Sequence, residues 1–283
     1  MKMRFGLLLL AMVPATSLAW GDGCKFTADR ASGVDASGVE KVILRTGAGD
    51  MKVVGRGNAV RIEARGVACA AKQELLDATK ISVRREGNVV IVETDLPQNM
   101  EGWSFGNDEY AYIDIGIALP SGVPVEAMDS SGDAEFEDLK QLTLQDSSGD
   151  LEIRRIAGFA DIGDSSGDID IEDVGSARVR DSSGDMELEK VRGDVEVELD
   201  SSGDIRITDV SGSVRVRQDS SGGIRIEDVK GSVDVDSDSS GDISASRVAG
   251  NFTVSEDSSG SIEHESIGGR VSVPSNKRDD DVE

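Results

Sequence analysis

One pentapeptide, Asp-Ser-Ser-Gly-Asp or a near variant of it, recurs eight times along the chain from residue 129 onward. The copies open at Asp129, Asp146, Asp164, Asp181, Asp200, Asp219, Asp238 and Asp257, at intervals of 17, 18, 17, 19, 19, 19 and 19 residues. A period of this length marks a unit that cannot bury its apolar face alone and must stack on its neighbours. The unit from Asp200 to Gln218 holds two alternating runs, Ile205-Arg206-Ile207 and Val214-Arg215-Val216, each bounded by Gly, Ser and Asp. Alternating β-branched residues read as half-buried strand, and the bounding residues read as turns. Two strands and two turns fill the unit and leave no room for a crossover helix. The expected fold is all-β: a parallel β-solenoid with two short strands per coil and about eight coils of 17–19 residues.

Stacking requires that equivalent positions share an environment. The first strand supplies Ala134, Leu151, Ile169, Met186, Ile205, Ile224, Ile243 and Ile262, and then Phe136, Ile153, Ile171, Leu188, Ile207, Ile226, Ala245 and His264. The far turn supplies Leu139, Ile156, Val174, Val191, Val210, Val229, Val248 and Ile267. The return strand runs from Leu142 and Leu144 to Val271 and Val273 with the same character. Only His264 is polar, and it falls in the last coil, where an inward side chain can reach water. The outward column Arg178, Glu196, Arg215, Asp234 alternates in sign. Coils about 4.8 Å apart turn that column into a charge ladder. Each exposed pair contributes under about 1 kcal/mol, so the column is evidence of register more than of stability.

The rest of the chain divides around these coils. Residues 1–19 combine Lys2 and Arg4, an apolar run from Phe5 to Val13, Pro14 and a small-residue site at Ser17-Leu18-Ala19. That is the pattern of a secretory signal peptide, with cleavage expected near Ala19. Residues 20–120 read as an N-terminal β-rich capping region. Alternation predicts strands at Lys41–Arg45, Met51–Val54, Val60–Ala64, Ile81–Arg85, Val89–Glu93 and Ala111–Ala118, with one or two helical turns at Lys72–Thr79. Cys24 and Cys69, the chain's two cysteines, are expected to form one disulfide in an exported protein. The coils occupy residues 121–273, and an acidic tail, 274–283, is expected to be disordered. No segment has the length and apolarity of a transmembrane helix.

The motif resembles a known family. A signal peptide, an early cysteine, a β-rich leader and tandem Ser-Ser-Gly-Asp-[Ile/Val]-x-[Ile/Val] coils resemble the bacterial β-strand-repeat family labelled "putative adhesin", a domain family of unknown function. The resemblance implies a periplasmic, secreted or cell-surface protein, and it brings no catalytic residues. The chain departs from the motif at Gly223 and Ser261, which replace the closing Asp.

Charge and residue content narrow the function. A formal net charge of −25 opposes binding to nucleic acid or anionic membranes. No nucleophile elbow, phosphate loop or metal-spaced His/Cys set occurs, and aromatics for stacking sugars are few in the coils, so the chain reads as non-enzymatic. The eight opening aspartates would stack into a repeat-turn ladder of like charges. Two readings of it stay open. In one, each Asp accepts amide hydrogen bonds within its own turn. In the other, paired carboxylates such as Asp181, Asp185, Asp200 and Asp204 hold Ca²⁺ weakly. Trp103 and Phe105, with Tyr110 and Tyr112, are candidates for a contact loop; in the other reading Tyr110 and Tyr112 pack in the leader's core while Trp103 covers one end of the solenoid. The expected function is an adhesin-like binding or scaffolding role in the cell envelope, with a surface polymer or protein as partner and no required cofactor. A Ca²⁺-binding envelope solenoid is the alternative, and a polysaccharide-active β-helix enzyme comes third.

Overall fold

The computed structural model describes residues 24–97 and 109–274. The leader at 1–19, Trp103, Phe105 and the tail past Pro274 lie outside the described residues. The coils are stacked as the repeat requires. Strand β8 (Val125–Met128) leads through an aspartate turn into β9 (Ala134–Glu137), and the same step repeats from β10 (Leu142–Gln145) through β22 (Phe252–Asp257) to β23 (Ile262–Ile267) and β24 (Val271–Ser272). First strands pair in parallel with first strands and return strands with return strands. Ile205 faces Ile224, and Val214 faces Val233. Two sheets result, one on each side of a single apolar core. The predicted columns are that core: Ile153, Ile171, Leu188, Ile207 and Ile226 are all fully buried.

Corners are set by backbone conformation. The residue before each far-turn aliphatic adopts a left-handed conformation, although none is glycine: Asp138, Arg155, Asp173, Lys190, Asp209, Asp228, Arg247 and Ser266, with φ between 54° and 59°. Each turn there costs roughly 1–2 kcal/mol relative to a right-handed residue. Cross-coil pairs partly offset it. Arg155 holds Asp138 through two bonds of 2.7 and 3.0 Å, and Arg247 holds Asp228 at 2.6 and 2.8 Å. On the return strand the expected charge column is in register, but its contacts are partly diagonal. Arg178 reaches Glu196 at 3.2 Å, while Arg215 bonds Asp236 at 2.7 Å and not the neighbouring Asp234.

The N-terminal region is part of the same two sheets. β2 (Lys41–Arg45) and β3 (Met51–Gly55) form a coil that pairs in parallel with β8 and β9. On their other side lie β6 (Val89–Asp95) and β7 (Ala111–Leu119), also parallel. An early piece of chain is thus inserted between two later ones. Pairing then turns antiparallel: β5 (Lys80–Glu86) closes one sheet, and β4 (Arg61–Ala70) followed by β1 (Phe26–Asp35) closes the other. The short helix α1 (Gln73–Ala78) lies by β1 and β4, and Arg30 of β1 donates to the carbonyls of Leu76 and Thr79. Edge strands tied down in this way do not present an open template. The Cys24–Cys69 disulfide fastens the start of β1 to β4, with Cα atoms 5.8 Å apart.

At the opposite end the last described coil is less buried. Ile262, Ile267 and Val271 are half-buried, where their equivalents above are fully buried. His264 is exposed, and its ring lies 6.1 Å from that of Phe252.

Candidate functional site

The aspartate turns form two columns with opposite environments. The eight expected copies stack as a ladder, and the structure adds a ninth turn, Thr46-Gly47-Ala48-Gly49-Asp50, between β2 and β3. Ala48 bridges Ser131 in parallel, and Gly49 donates to the Ser131 carbonyl at 3.0 Å. Sequence comparison with Asp-Ser-Ser-Gly-Asp misses this turn because only the last two residues are shared. The signal that finds it is Gly-Asp followed by the alternating run Met51-Lys52-Val53.

The closing aspartates make the outer column. Asp133, Asp150, Asp168, Asp185, Asp204 and Asp242 are exposed. Each caps the coil that follows. Asp133 Oδ1 accepts from the Asp150 amide at 3.1 Å, Asp150 from Asp168 at 3.0 Å, Asp168 from Asp185 and Asp185 from Asp204 at 2.9 Å, and Asp204 from Gly223 at 2.8 Å. The ninth turn extends the series, since Asp50 accepts from Asp133 at 3.2 Å and Asp114 accepts from Asp50 at 3.0 Å. Gly223 interrupts it. Asp242 resumes it by holding both the amide and the hydroxyl of Ser261, the hydroxyl first in effect, which keeps the carboxyl below the usual carboxylate range. These bonds run between coils, so the side chain that looks like turn chemistry also ties the stack together.

Beside this column lies a second acidic one: Glu135, Glu152, Asp170 and Glu187, paired in register and flanked by Lys52 and Arg206. The two columns line a shallow furrow of about 880 Å³ along the sheet face. Lys52 pairs with Glu135 at 2.6 Å, Arg154 with Glu152 and, at 3.5 Å, with Asp170, and Arg206 with Glu187 at 3.3 Å. The closing aspartates in the furrow have no cationic partner among these ion pairs.

The opening aspartates make the inner column. The sequence stacks these like charges along one edge, which would be unfavourable even in water. The structure buries them instead: Asp181, Asp200, Asp219 and Asp238 are at most 1% exposed, and Asp129, Asp146 and Asp164 are buried too. Asp200, Asp219 and Asp238 follow one another in parallel bridges. The expected bond within the turn forms at two of them, from the Ser182 amide to Asp181 at 2.6 Å and from the Ser202 amide to Asp200 at 3.3 Å. Elsewhere the serine amides approach the carboxylate without reaching hydrogen-bond geometry. Both oxygens of Asp129, Asp146, Asp164, Asp219 and Asp238 are buried with no donor. Burial, reinforced by neighbouring carboxylates, pushes Asp146 and Asp200 up to about 7 and Asp219 up to about 6. Asp129, Asp164, Asp181 and Asp238 are raised for the same first reason.

This division separates the four residues considered for Ca²⁺. Asp181 and Asp200 are inside the wall, while Asp185 and Asp204 are on its outer surface, each with an oxygen engaged by an amide. Among the described residues no three His, Cys, Asp or Glu side chains converge as a metal site. No helix among them is long and apolar enough to cross a membrane. Tyr110 and Tyr112 are half-buried beside each other with ring centroids 6.4 Å apart, and the Lys25 amide donates to the Tyr110 hydroxyl.

The fold and the ladders define a parallel β-solenoid whose coils are closed by aspartate turns. The chain belongs to the Toastrack DUF4097 family, whose model matches residues 66–282. Solved structures resemble it at low identity. A putative adhesin from Bacteroides fragilis is 14% identical, with a TM-score of 0.41 over 88% of this chain and 98% of that one. A putative adhesin from Parabacteroides merdae is 13% identical, with a TM-score of 0.37 over 90% and 98%. A putative lipid binding protein from Parabacteroides distasonis is 15% identical, with a TM-score of 0.33 over 87% and 97%. No curated protein matches the chain.

Proposed function

We propose that this chain is an exported, non-enzymatic binding or scaffolding rod of the cell envelope, and that the furrowed acidic sheet face is its contact surface. The reading rests on one observation. Exposed closing aspartates without an ion-pair partner repeat at the inter-strand spacing along a rigid face, beside the half-exposed, ion-paired column Glu135, Glu152, Asp170 and Glu187. A surface of that kind suits an extended partner, a surface polymer or a protein segment, that carries positive groups at intervals. A single pair of such contacts is weak in water, but a rigid rod makes many at once without further ordering cost. Export is read from the leader, and it agrees with a disulfide, which persists outside reducing compartments.

The test uses the full chain and polylysine as the probe, followed by calorimetry in low and moderate salt. Glu152→Gln/Asp170→Asn/Glu187→Gln is expected to weaken binding roughly tenfold, since salt-sensitive contacts contribute additively. Glu126→Gln/Asp161→Asn/Asp234→Asn removes the same charge from the opposite sheet and is expected to leave binding within twofold. Equal losses in both variants would mean that net charge alone attracts the probe, and the acidic face would lose its role.

A further inference from the structure

The inner aspartates are not needed for the contact surface, and their placement is costly. A buried carboxylate without a donor or a cation is among the least favourable arrangements in a protein interior. Here the arrangement is repeated in consecutive coils. The groups facing the column are themselves acidic. Each aspartate meets the next above and below it, and Asp238 meets Asp257. Asp129 also faces Asp50 and the Thr46 hydroxyl, Asp164 faces Asp150, and Asp181 faces Asp168. None of the ion pairs among the described residues includes a member of the column, and no Lys, Arg or His is among the leading influences on one. One counter-ion satisfies both the charge and the missing donor, and that is the proton. The register sets Asp146 beside Asp164, one residue past the paired Gln145 and Gly163, and Asp219 bridges Asp238 in parallel. Fully ionised, such a pair has no donor; with one proton shared, the protonated carboxyl donates to its ionised neighbour.

We propose that the buried aspartate column is a proton-binding site built into the wall of the solenoid, so that the rod takes up protons and tightens in acid and loosens as the medium turns neutral or alkaline. The inference is independent of what the outer face binds. The sign follows from linkage. These carboxyls hold protons in the folded chain up to about pH 6–7, whereas in the unfolded chain they lose them near pH ~4. Over that window the native state binds more protons, so stability falls as pH rises. The contribution is complete below about pH 4 and is lost as pH passes through the folded-state values. Carboxyls held low by arginine or lysine, such as Asp138, Glu172 and Asp228, work in the opposite sense, but only at more acidic pH. Ordinary surface carboxylates are already ionised by about pH 5.5, so the change above that point isolates the column.

Thermal melting of the full chain from pH 5.5 to 8 tests this, in wild type and in a His264→Gln background that removes the single imidazole. The melting temperature is expected to fall by roughly 10 °C across the range. Asp200→Asn/Asp219→Asn, whose amides donate without a proton, is expected to lose at least a third of that slope. Should the double variant not fold, ¹³C titration of the aspartate carboxyls in wild type gives the same answer, with a subset still protonated at pH 6. A flat or rising melting temperature, or no carboxyl protonated at pH 6, would overturn the proposal. So would Ca²⁺ at pH 8 restoring what acid gives, because the column would then be a metal site.

Discussion

Gly222→Ala is expected to destabilise the solenoid by roughly 3–6 kcal/mol, the sum of a strained backbone and a steric clash. Gly222 has φ +132°, and a Cβ built on it would stand 1.7 Å from the carbonyl oxygen of Gly203 and 2.6 Å from its carbon. Those atoms are backbone, and the parallel ladder fixes their distance, so they cannot move aside without opening the stack. The same contact recurs between every pair of neighbouring turns, from Gly132 on Gly49 to Gly260 on Gly241. Gly87 separates the two contributions. It also has a positive φ, +65°, but nothing lies within 4 Å of its Cβ position. Gly87→Ala is therefore expected to cost only about 1–2 kcal/mol, the price of a left-handed residue. Urea unfolding of the two variants compares them directly. Because each coil touches only its neighbours, Gly222→Ala is also expected to split the transition, with coils after residue 222 opening first and becoming accessible to protease. Equal losses at Gly222 and Gly87 would mean that the turns stack less closely than these distances require.

That contrast also marks how far the sequence could be read. The core columns were legible because a stacked repeat forces like onto like, and eight copies average out the exceptions. Strands β2 to β7 were legible as alternation, but their place was not. Nothing in Lys41–Arg45 or Met51–Val54 says that they slot between β6/β7 and β8/β9, since pairing partners far apart in sequence leave no local trace. Strand β1 escaped altogether. Phe-Thr-Ala-Asp-Arg-Ala-Ser-Gly-Val-Asp alternates in exposure, yet its inward positions are small or only half-buried, so no apolar period appears. The left-handed corner residues were hidden for a different reason: the column holds Asp, Arg, Lys and Ser, and glycine, the usual marker of positive φ, is absent from it. The aspartate turn was the most informative motif and the most misleading. It correctly announced the coil, but an Asp at a turn reads as exposed and satisfied. Its two aspartates in fact have opposite fates, because the glycine between them reverses the chain and leaves the first carboxylate in the wall and the second on the face.

Loss of the Cys24–Cys69 disulfide is expected to lower the stability of the N-terminal end by about 4 kcal/mol. That is the loop-closure value for a sequence separation of 45. Cys69 is 3% exposed on β4, and Cys24 sits where β1 begins. Without the bond, β1 keeps its antiparallel pairing to β4 and the Arg30 contacts to α1, but it no longer gains from a restricted unfolded state. Hydrogen exchange on Cys24→Ser/Cys69→Ser is therefore expected to show faster exchange in β1 and β4 and unchanged protection in the coils after β10. Uniform acceleration along the rod would instead mean that the cap and the coils unfold as one unit. The local outcome has a consequence for where the protein can operate. When β1 frays, β4 becomes the edge of its sheet, an antiparallel strand whose own residues Ile62, Ala64 and Ala68 are buried. An unblocked edge of that kind recruits other strands. The disulfide thus guards the end at which the chain's own coils supply no further neighbour, and it can do so only where thiols stay oxidised.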